Sequence, residues 1–389
     1  MFDIAYGATA PADQRDPLDL LGLTFDELRA WLVAQGEPAY RAQQLAEAIY
    51  HALTPRFEQM SALPSSLRDR LSGLATIAGP QVRASVAAKD GRTRKLLLEL
   101  RDGRLIETVL MLYPASAEGR ARATVCVSTQ AGCAYGCTFC ATGQMGFERH
   151  LTAGEIVAQV LYLARELRER PWTAPDGQRI DHVTNLVFMG MGEPLHNYDN
   201  TLKALRILNM PEGLQIGARH MTVSTVGLAP GILRLAEEPL QVNLAISLHA
   251  PNNAMRLRTM PVTRKYPIEQ VLAAVRSYAE RTGRQVTFEY VLLAGVNDAD
   301  EHARELALLL APLKQLGHVN LIPVNKTSAG YQPPSGERIR AFRERLRAGG
   351  VSSSVRAERG DDIAAACGQL RTRETRARQA ARPQAERQA

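Results

Sequence analysis

The chain has 389 residues, long enough for one large catalytic domain with smaller appendages. Its formal net charge of +7 and pI of about 9.3 suit a polyanionic partner, yet many ordinary enzymes are as basic. Five cysteines, three of them clustered, do not make a disulfide framework, no apolar run reaches a membrane span, and MFDIAYGATAPADQRD lacks the basic start and apolar run of a secretory signal, so a cytoplasmic location without membrane contact is expected.

Residues 18–75 read as helical. In TFDELRAWLVAQG, Thr24 can cap a helix whose apolar residues Phe25, Leu28, Trp31 and Leu32 fall at helical spacing, and AYRAQQLAEAIYHAL and PSSLRDRLSGL repeat the pattern. RTRKLLLEL, the turn Asp102-Gly103 and RLIETVLML then read as a β-hairpin, with an earlier turn at Asp90-Gly91. From about residue 122 the pattern alternates. ATVCVST, HVTNLVFMG, HMTVSTVG, VNLAISLH, VTFEYVLL, HVNLIPVN and SSSVRAE read as strands, and helical patterns such as AGEIVAQVLYLARELRER and PIEQVLAAVRSYAERTG separate most of them. Such regular alternation predicts an α/β class built from βα units around a parallel sheet, as a partial or full barrel with ligands at the strand ends. An open doubly wound sheet is the alternative, although no G-x-G-x-x-G fingerprint supports it. The expected organisation is an accessory helical, RNA-binding domain over 18–80 and a β-hairpin linker over 81–121. The barrel with its catalytic C-terminal segment follows over 122–370, then a basic disordered tail over 371–389.

CAYGCTFC places Cys133, Cys137 and Cys140 in the loop after the first barrel strand. A structural zinc site wants four Cys or His ligands, commonly as two pairs, and those pairs are missing. Three thiolates suit a cubane iron–sulfur cluster with one iron open to substrate, while zinc with a remote fourth ligand is the bland alternative.

This CxxxCxxC stretch, with Phe139 before the third thiol, resembles the signature of the radical S-adenosylmethionine (SAM) superfamily. The resemblance implies a [4Fe–4S] cluster whose open iron chelates SAM, and a partial (β/α)6 barrel. It also assigns SAM contacts to strand ends: Gly192 and Glu193 in VFMGMGEPLHN, Ser224 in VSTVG, Ser247, Leu248 and His249 in ISLHA, and Asn325 in IPVN. Glycine at such a strand end would let a ligand approach the backbone closely. Taken alone, His249 is as readily a core histidine.

The remaining thiols, Cys126 on the first strand and Cys367 in GDDIAAACGQL, narrow the resemblance. With GEPAYRAQQL, SLHAPNNAMR and RGDDIAAACGQL in order over residues 20–370, the chain resembles the bacterial RNA methyltransferase family RlmN. That resemblance implies methylation of carbon 2 of adenosine 2503 in 23S rRNA and of adenosine 37 in tRNAs. It implies that Cys367 carries a methyl group taken from one SAM, that a second SAM supplies the radical, and that RNA becomes covalently joined to the chain. Cys126 then resolves the adduct through a transient disulfide with Cys367, and Glu107 in IETV is the matching candidate proton acceptor. Implied partners are 23S rRNA, tRNA and an electron donor such as flavodoxin, with the chain a monomer. Methylation at carbon 8 of the same adenine, as in Cfr, would use the same five thiols; a non-catalytic metal-containing RNA-binding protein is a different class of reading. Between residues 250 and 268, Arg256, Arg258, Arg264 and Lys265 read as a basic loop able to contact phosphates. The tail, with six Arg and two Glu, reads as a solubilising segment or a loose RNA arm.

Overall fold

A computed structural model describes residues 17–116, 119–313, 315–325 and 330–356. Helices α1 (Phe25–Ala34), α2 (Arg41–Ala46) and α3 (Ser65–Leu74) form the N-terminal module. Thr24 accepts from the Glu27 N–H while the Glu27 carboxylate accepts from the Thr24 N–H, the reciprocal cap that starts α1. Leu28, Leu32, Leu45, Leu67 and Leu71 turn inward, as the helical spacing predicts.

A ten-stranded sheet follows. Its strands are β1 (Gln81–Ala87), β2 (Thr93–Glu99), β3 (Leu105–Tyr113), β4 (Arg122–Cys126), β5 (Asn185–Phe188), β6 (Met221–Thr225), β7 (Asn243–Ser247), β8 (Val286–Leu292), β9 (Gly317–Pro323) and β10 (Ser353–Val355). Their spatial order is their chain order. β1 to β4 pair antiparallel, and β4 to β10 pair parallel. A doubly wound sheet reverses strand order at a switch point; this one never reverses, so the barrel expectation holds. β1 and β10 are edges of the sheet rather than neighbours, so the barrel is partial. The predicted hairpin is the antiparallel continuation of the sheet itself, since β3 pairs with β4 from Val109↔Cys126 to Tyr113↔Arg122.

Connecting helices cover the outer face: α4 (Ala153–Glu169), α5 (Tyr198–Asn209), α6 (Ala229–Leu235), α7 (Asn253–Thr259), α8 (Ile268–Thr282), α9 (Asp300–Leu310) and α10 (Gly336–Ala348). Along β6 and β9 burial alternates, the buried residues facing the helices and the half-buried ones, such as Ser224 and Asn320, facing the concave side. The N-terminal module leans on α4. Arg165 donates to the Leu53 carbonyl at 2.8 Å, and a Cβ on Gly154 would meet a carboxylate oxygen of Asp19 at 2.0 Å. Packed this closely, Asp19 has its pKa pushed up to about 6 by burial.

Candidate active site

The loop after β4 is closed by a short antiparallel ribbon, Gln130–Gly132 against Phe147–His150. Gly132 has φ of +80°, and a Cβ there would meet the Gly146 carbonyl oxygen at 2.0 Å. Only glycine permits that pinch. From it the Cys133 N–H reaches the Gly146 carbonyl at 2.8 Å, and the Cys140 N–H reaches that of Cys137 at 3.1 Å. Cys137 is buried, and Cys133 and Cys140 are half-buried. Burial first, then neighbouring charges including the other thiols, push Cys133 up to about 12 and Cys137 higher still. Thiols in such surroundings become thiolates only against strong positive charge, which bound iron provides. Three thiols on one loop suit a cubane, in which each thiolate binds a different iron. The Thr142 hydroxyl, two residues past Cys140, is buried without a hydrogen-bond partner, polar capacity open to a bound group. The donor set therefore fits the cluster.

The GMGEP turn after β5 packs on this loop. A Cβ on Gly190 would meet the Val127 carbonyl oxygen at 2.6 Å, and one on Gly192, at φ +102°, would meet Gln130 Cβ at 2.5 Å. The close approach expected of a ligand at these glycines is thus already made by the chain's own backbone and Gln130. Glu193 is buried, accepting from the Leu195 N–H at 3.0 Å and the Val226 N–H at 2.8 Å, so it ties the end of β5 to the loop after β6. Burial pushes its pKa up to about 7, and these donors pull against that rise.

Ser224 and Ser247 are half-buried on the concave side, and Asn325 is half-buried just past β9. Leu248 is buried and donates its N–H to the Glu289 carbonyl at 3.1 Å. His249 takes a left-handed φ of +57°. Its Nδ1 accepts from the Val291 N–H at 3.0 Å, which leaves the ring proton on Nε2, and burial lowers its pKa to about 3. The ring meets Phe139 edge-on at 4.9 Å, joining the strand end to the cysteine loop. On the same concave side Asn320 donates to the buried Glu289 carboxylate at 2.8 Å, a pair the sequence reading missed.

Cys126 ends β4, buried with Val109, Met111, Tyr113, Val187 and Met189 in a cluster apart from the main core. Val109 faces Cys126 in register and Lys95 faces Val109 from the other side. Strand alternation puts Glu107 on the same face as Val109, two residues along β3. Lys95 Nζ lies 3.0 Å from a Glu107 carboxylate oxygen, with the two side chains 0% and 2% exposed. Ser128 fastens this corner, donating to the Glu107 carbonyl at 2.6 Å and accepting from the Met191 N–H at 2.9 Å. Cys367 lies outside the described residues.

One expectation fails. Arg256 is not a surface cation on a loop. Asn252 caps α7 through the Met255 N–H at 2.9 Å, and Arg256, 0% exposed, turns into the protein. Its fork binds backbone carbonyls, and satisfying them outweighs hydration at that position. Arg258, Arg264 and Lys265 are exposed.

The Radical SAM superfamily model matches residues 127–307, and the model of the ribosomal RNA large subunit methyltransferase N-terminal domain matches residues 18–77. A Nitrosopumilus maritimus protein named "Ribosomal RNA large subunit methyltransferase N" is 47% identical over 356 residues, covering 91% of this chain and 98% of its own. A Chloroflexus aurantiacus protein, "Probable dual-specificity RNA methyltransferase RlmN", is 49% identical, covering 90% and 92%. The chain belongs to the RlmN family of radical SAM RNA methyltransferases. A radical SAM methyltransferase structure from Sphaerobacter thermophilus superposes with a TM-score of 0.84 at 50% identity, covering 91% of this chain and 99% of that one. RlmN membership makes this chain a SAM-dependent RNA methyltransferase and implies SAM and a [4Fe–4S] cluster. No helix among the described residues is long and apolar enough to cross a membrane. Lys95 and Arg256 are the buried cations that sequence reading overlooked or misplaced. The apolar surroundings of Lys95 in RTRKLLLEL were the one available signal.

Proposed function

We propose that this chain methylates carbon 2 of adenosine 2503 in 23S rRNA and of adenosine 37 in tRNAs. The observation that carries the reading is Cys126, a thiol buried on the concave face, one strand from Glu107 and at the strand end that leads into the three-cysteine loop. The "dual-specificity" in relatives' names supports two RNA substrates.

Carbon 2 of adenine is electrophilic, so nucleophilic methyl transfer fails there and a carbon radical is needed. A single cluster per chain and SAM, two molecules consumed per methylation, would supply the methyl group, the electron and the hydrogen-abstracting radical. In this reading Cys133, Cys137 and Cys140 ligate the cluster. Gly192, Glu193 and the strand ends at Ser224, Ser247–His249 and Asn325 orient SAM beside it. Cys367 holds the methyl group as a thioether. After that group loses a hydrogen atom, its carbon bonds to carbon 2 of the adenine and joins RNA to protein, and the odd electron left on this adduct would return to the bound cluster as carbon 2 gives up its proton. Cys126, as a thiolate, attacks the Cys367 sulfur; the sulfur–methylene bond breaks with its electron pair on the methylene carbon, which takes up a proton to become the methyl group, so methylated RNA leaves and a Cys126–Cys367 disulfide remains for later reduction. Glu107, paired with Lys95, takes the carbon-2 proton in this reading. The target base leaves its stack to enter the concave face, at a cost of a few kcal/mol. Residues 18–80 and 81–121 act as RNA grips, and the exposed Arg258, Arg264 and Lys265 meet phosphates. The chain works as a cytoplasmic monomer fed by an electron donor such as flavodoxin.

The deciding experiment is anaerobic reconstitution with SAM, a reductant and separate rRNA and tRNA substrates, with nucleosides analysed by mass spectrometry. The expected product is 2-methyladenosine; 8-methyladenosine in its place would move the chain to Cfr-type chemistry. Metal analysis should give about four iron and four sulfide per chain; zinc without sulfide would sink the radical mechanism.

A further inference from the structure

Arg256 is the most deeply buried large cation beside the cysteine loop, and its surroundings are unusual. All five guanidinium N–H donors are used. Nε donates to the Leu248 carbonyl at 3.2 Å. One terminal nitrogen donates to the Thr263 hydroxyl and the Tyr266 carbonyl, each at 3.2 Å. The other donates to the carbonyls of Val226 at 2.5 Å and Ser247 at 3.2 Å. Every acceptor is neutral. Four are carbonyls, three of them at the ends of β6 and β7. A charge taken out of water this completely is costly unless an anion compensates it. The helix that bears Arg256 is fastened to the cysteine loop, because the N–H of Thr138, the residue after Cys137, donates to the Thr259 carbonyl at 2.9 Å. A guanidinium stays cationic at neutral pH.

We infer that Arg256 is the built-in counter-charge of the cluster, a positioning residue that stabilises its reduced state and clamps the strand ends that hold SAM. The inference rests on the proposed cluster ligation by Cys133, Cys137 and Cys140. Reduction adds one negative charge to a low-dielectric site, so a fixed cation nearby favours the reduced form. The same fork sets the carbonyls of Ser247, Leu248 and Val226 in one arrangement, which ties electron acceptance to the shape of the SAM site.

The test is a redox titration of the cluster followed by electron paramagnetic resonance, with SAM affinity measured by calorimetry. Iron and sulfide are first counted in the parent protein. A parent without a cluster would refute the proposed function and not this assignment. In Arg256→Met and Arg256→Gln the midpoint should move to more negative potential with iron content kept, and SAM affinity should fall about tenfold or more. Arg256→Lys keeps the charge and loses the fork, so the potential should stay near the parent's while SAM affinity still falls. An unchanged midpoint in the neutral variants overturns the assignment. Should those variants fail to take up iron, Arg256→Lys decides alone: a retained potential with weakened SAM binding supports the assignment, and a potential that falls despite the retained charge overturns it.

Discussion

The two halves of the sheet handle a buried cation in opposite ways. In the antiparallel half, Lys95 on β2 is neutralised by Glu107 on β3, beside Cys126. In the parallel half, Arg256 is solvated only by neutral oxygens. A neutral corner suits thiol exchange and proton transfer, which need groups held in place without a strong net field. A corner that keeps its positive charge suits a group that accumulates electrons. In the proposed reaction this difference would separate the covalent chemistry at the Cys126 side from the electron chemistry at the Cys137 side, although one continuous sheet carries both.

The largest effects expected are complete losses of turnover that differ in kind. Cys126→Ala should keep its iron and accumulate a covalent protein–RNA adduct, visible as a shifted band on a denaturing gel. Cys133→Ala should lose iron and form no adduct. If both variants lost iron, the two corners would not be separable. Cys367→Ala should keep the cluster and give neither methylated protein nor adduct.

Next in size is Lys95→Met, which leaves Glu107 buried without its cation and should cost about 3–5 kcal/mol in chemical denaturation. Lys95→Met combined with Glu107→Leu should recover most of that loss, because no buried charge remains. A double variant as unstable as the single would mean that packing, not charge, sets the corner.

Glu193 sharpens the contrast through pH. Its folded-state pKa of about 7 lies above the ordinary 4.5, so the folded protein binds the proton more tightly than the unfolded chain does. Its contribution is full below about pH 4.5 and is lost as pH rises toward 7, on the order of 3 kcal/mol in all. Glu193→Gln should flatten that part of the stability–pH curve in the protein without SAM. A slope unchanged by the substitution would assign it to other groups.

The smallest effects belong to the exposed cations. Arg258→Ala, Arg264→Ala and Lys265→Ala should each weaken RNA binding modestly and lower the slope of log affinity against log salt by about one. Cluster potential should not move in any of them, in contrast to Arg256→Met.

Much of this was legible in the sequence because it depends on short spacing. CxxxCxxC within one loop, a strand every few dozen residues and helical apolar periodicity are local patterns, and strands β4 to β10 fall on the seven predicted segments. The stretch holding Arg256 misled, because four cations within residues 250–268 look like a solvated loop when only composition is read. Nothing in that stretch reveals that the carbonyls of Val226, Ser247 and Tyr266 converge around one of them. His249 was equally ambiguous, since its ring is fixed by Val291 and Phe139, which come from different parts of the chain.

The sequence by itself determined the donor atoms, the order of the strands and the loop that carries three thiols, because residue type and local periodicity are written in consecutive letters. Only the tertiary structure decided which charges are neutralised. Pairing of Lys95 with Glu107 depends on the register of two strands, and the burial of Arg256 depends on chain segments up to 30 residues away closing over it. Desolvation acts on a charge through everything packed around it, and no single stretch of sequence contains that surrounding.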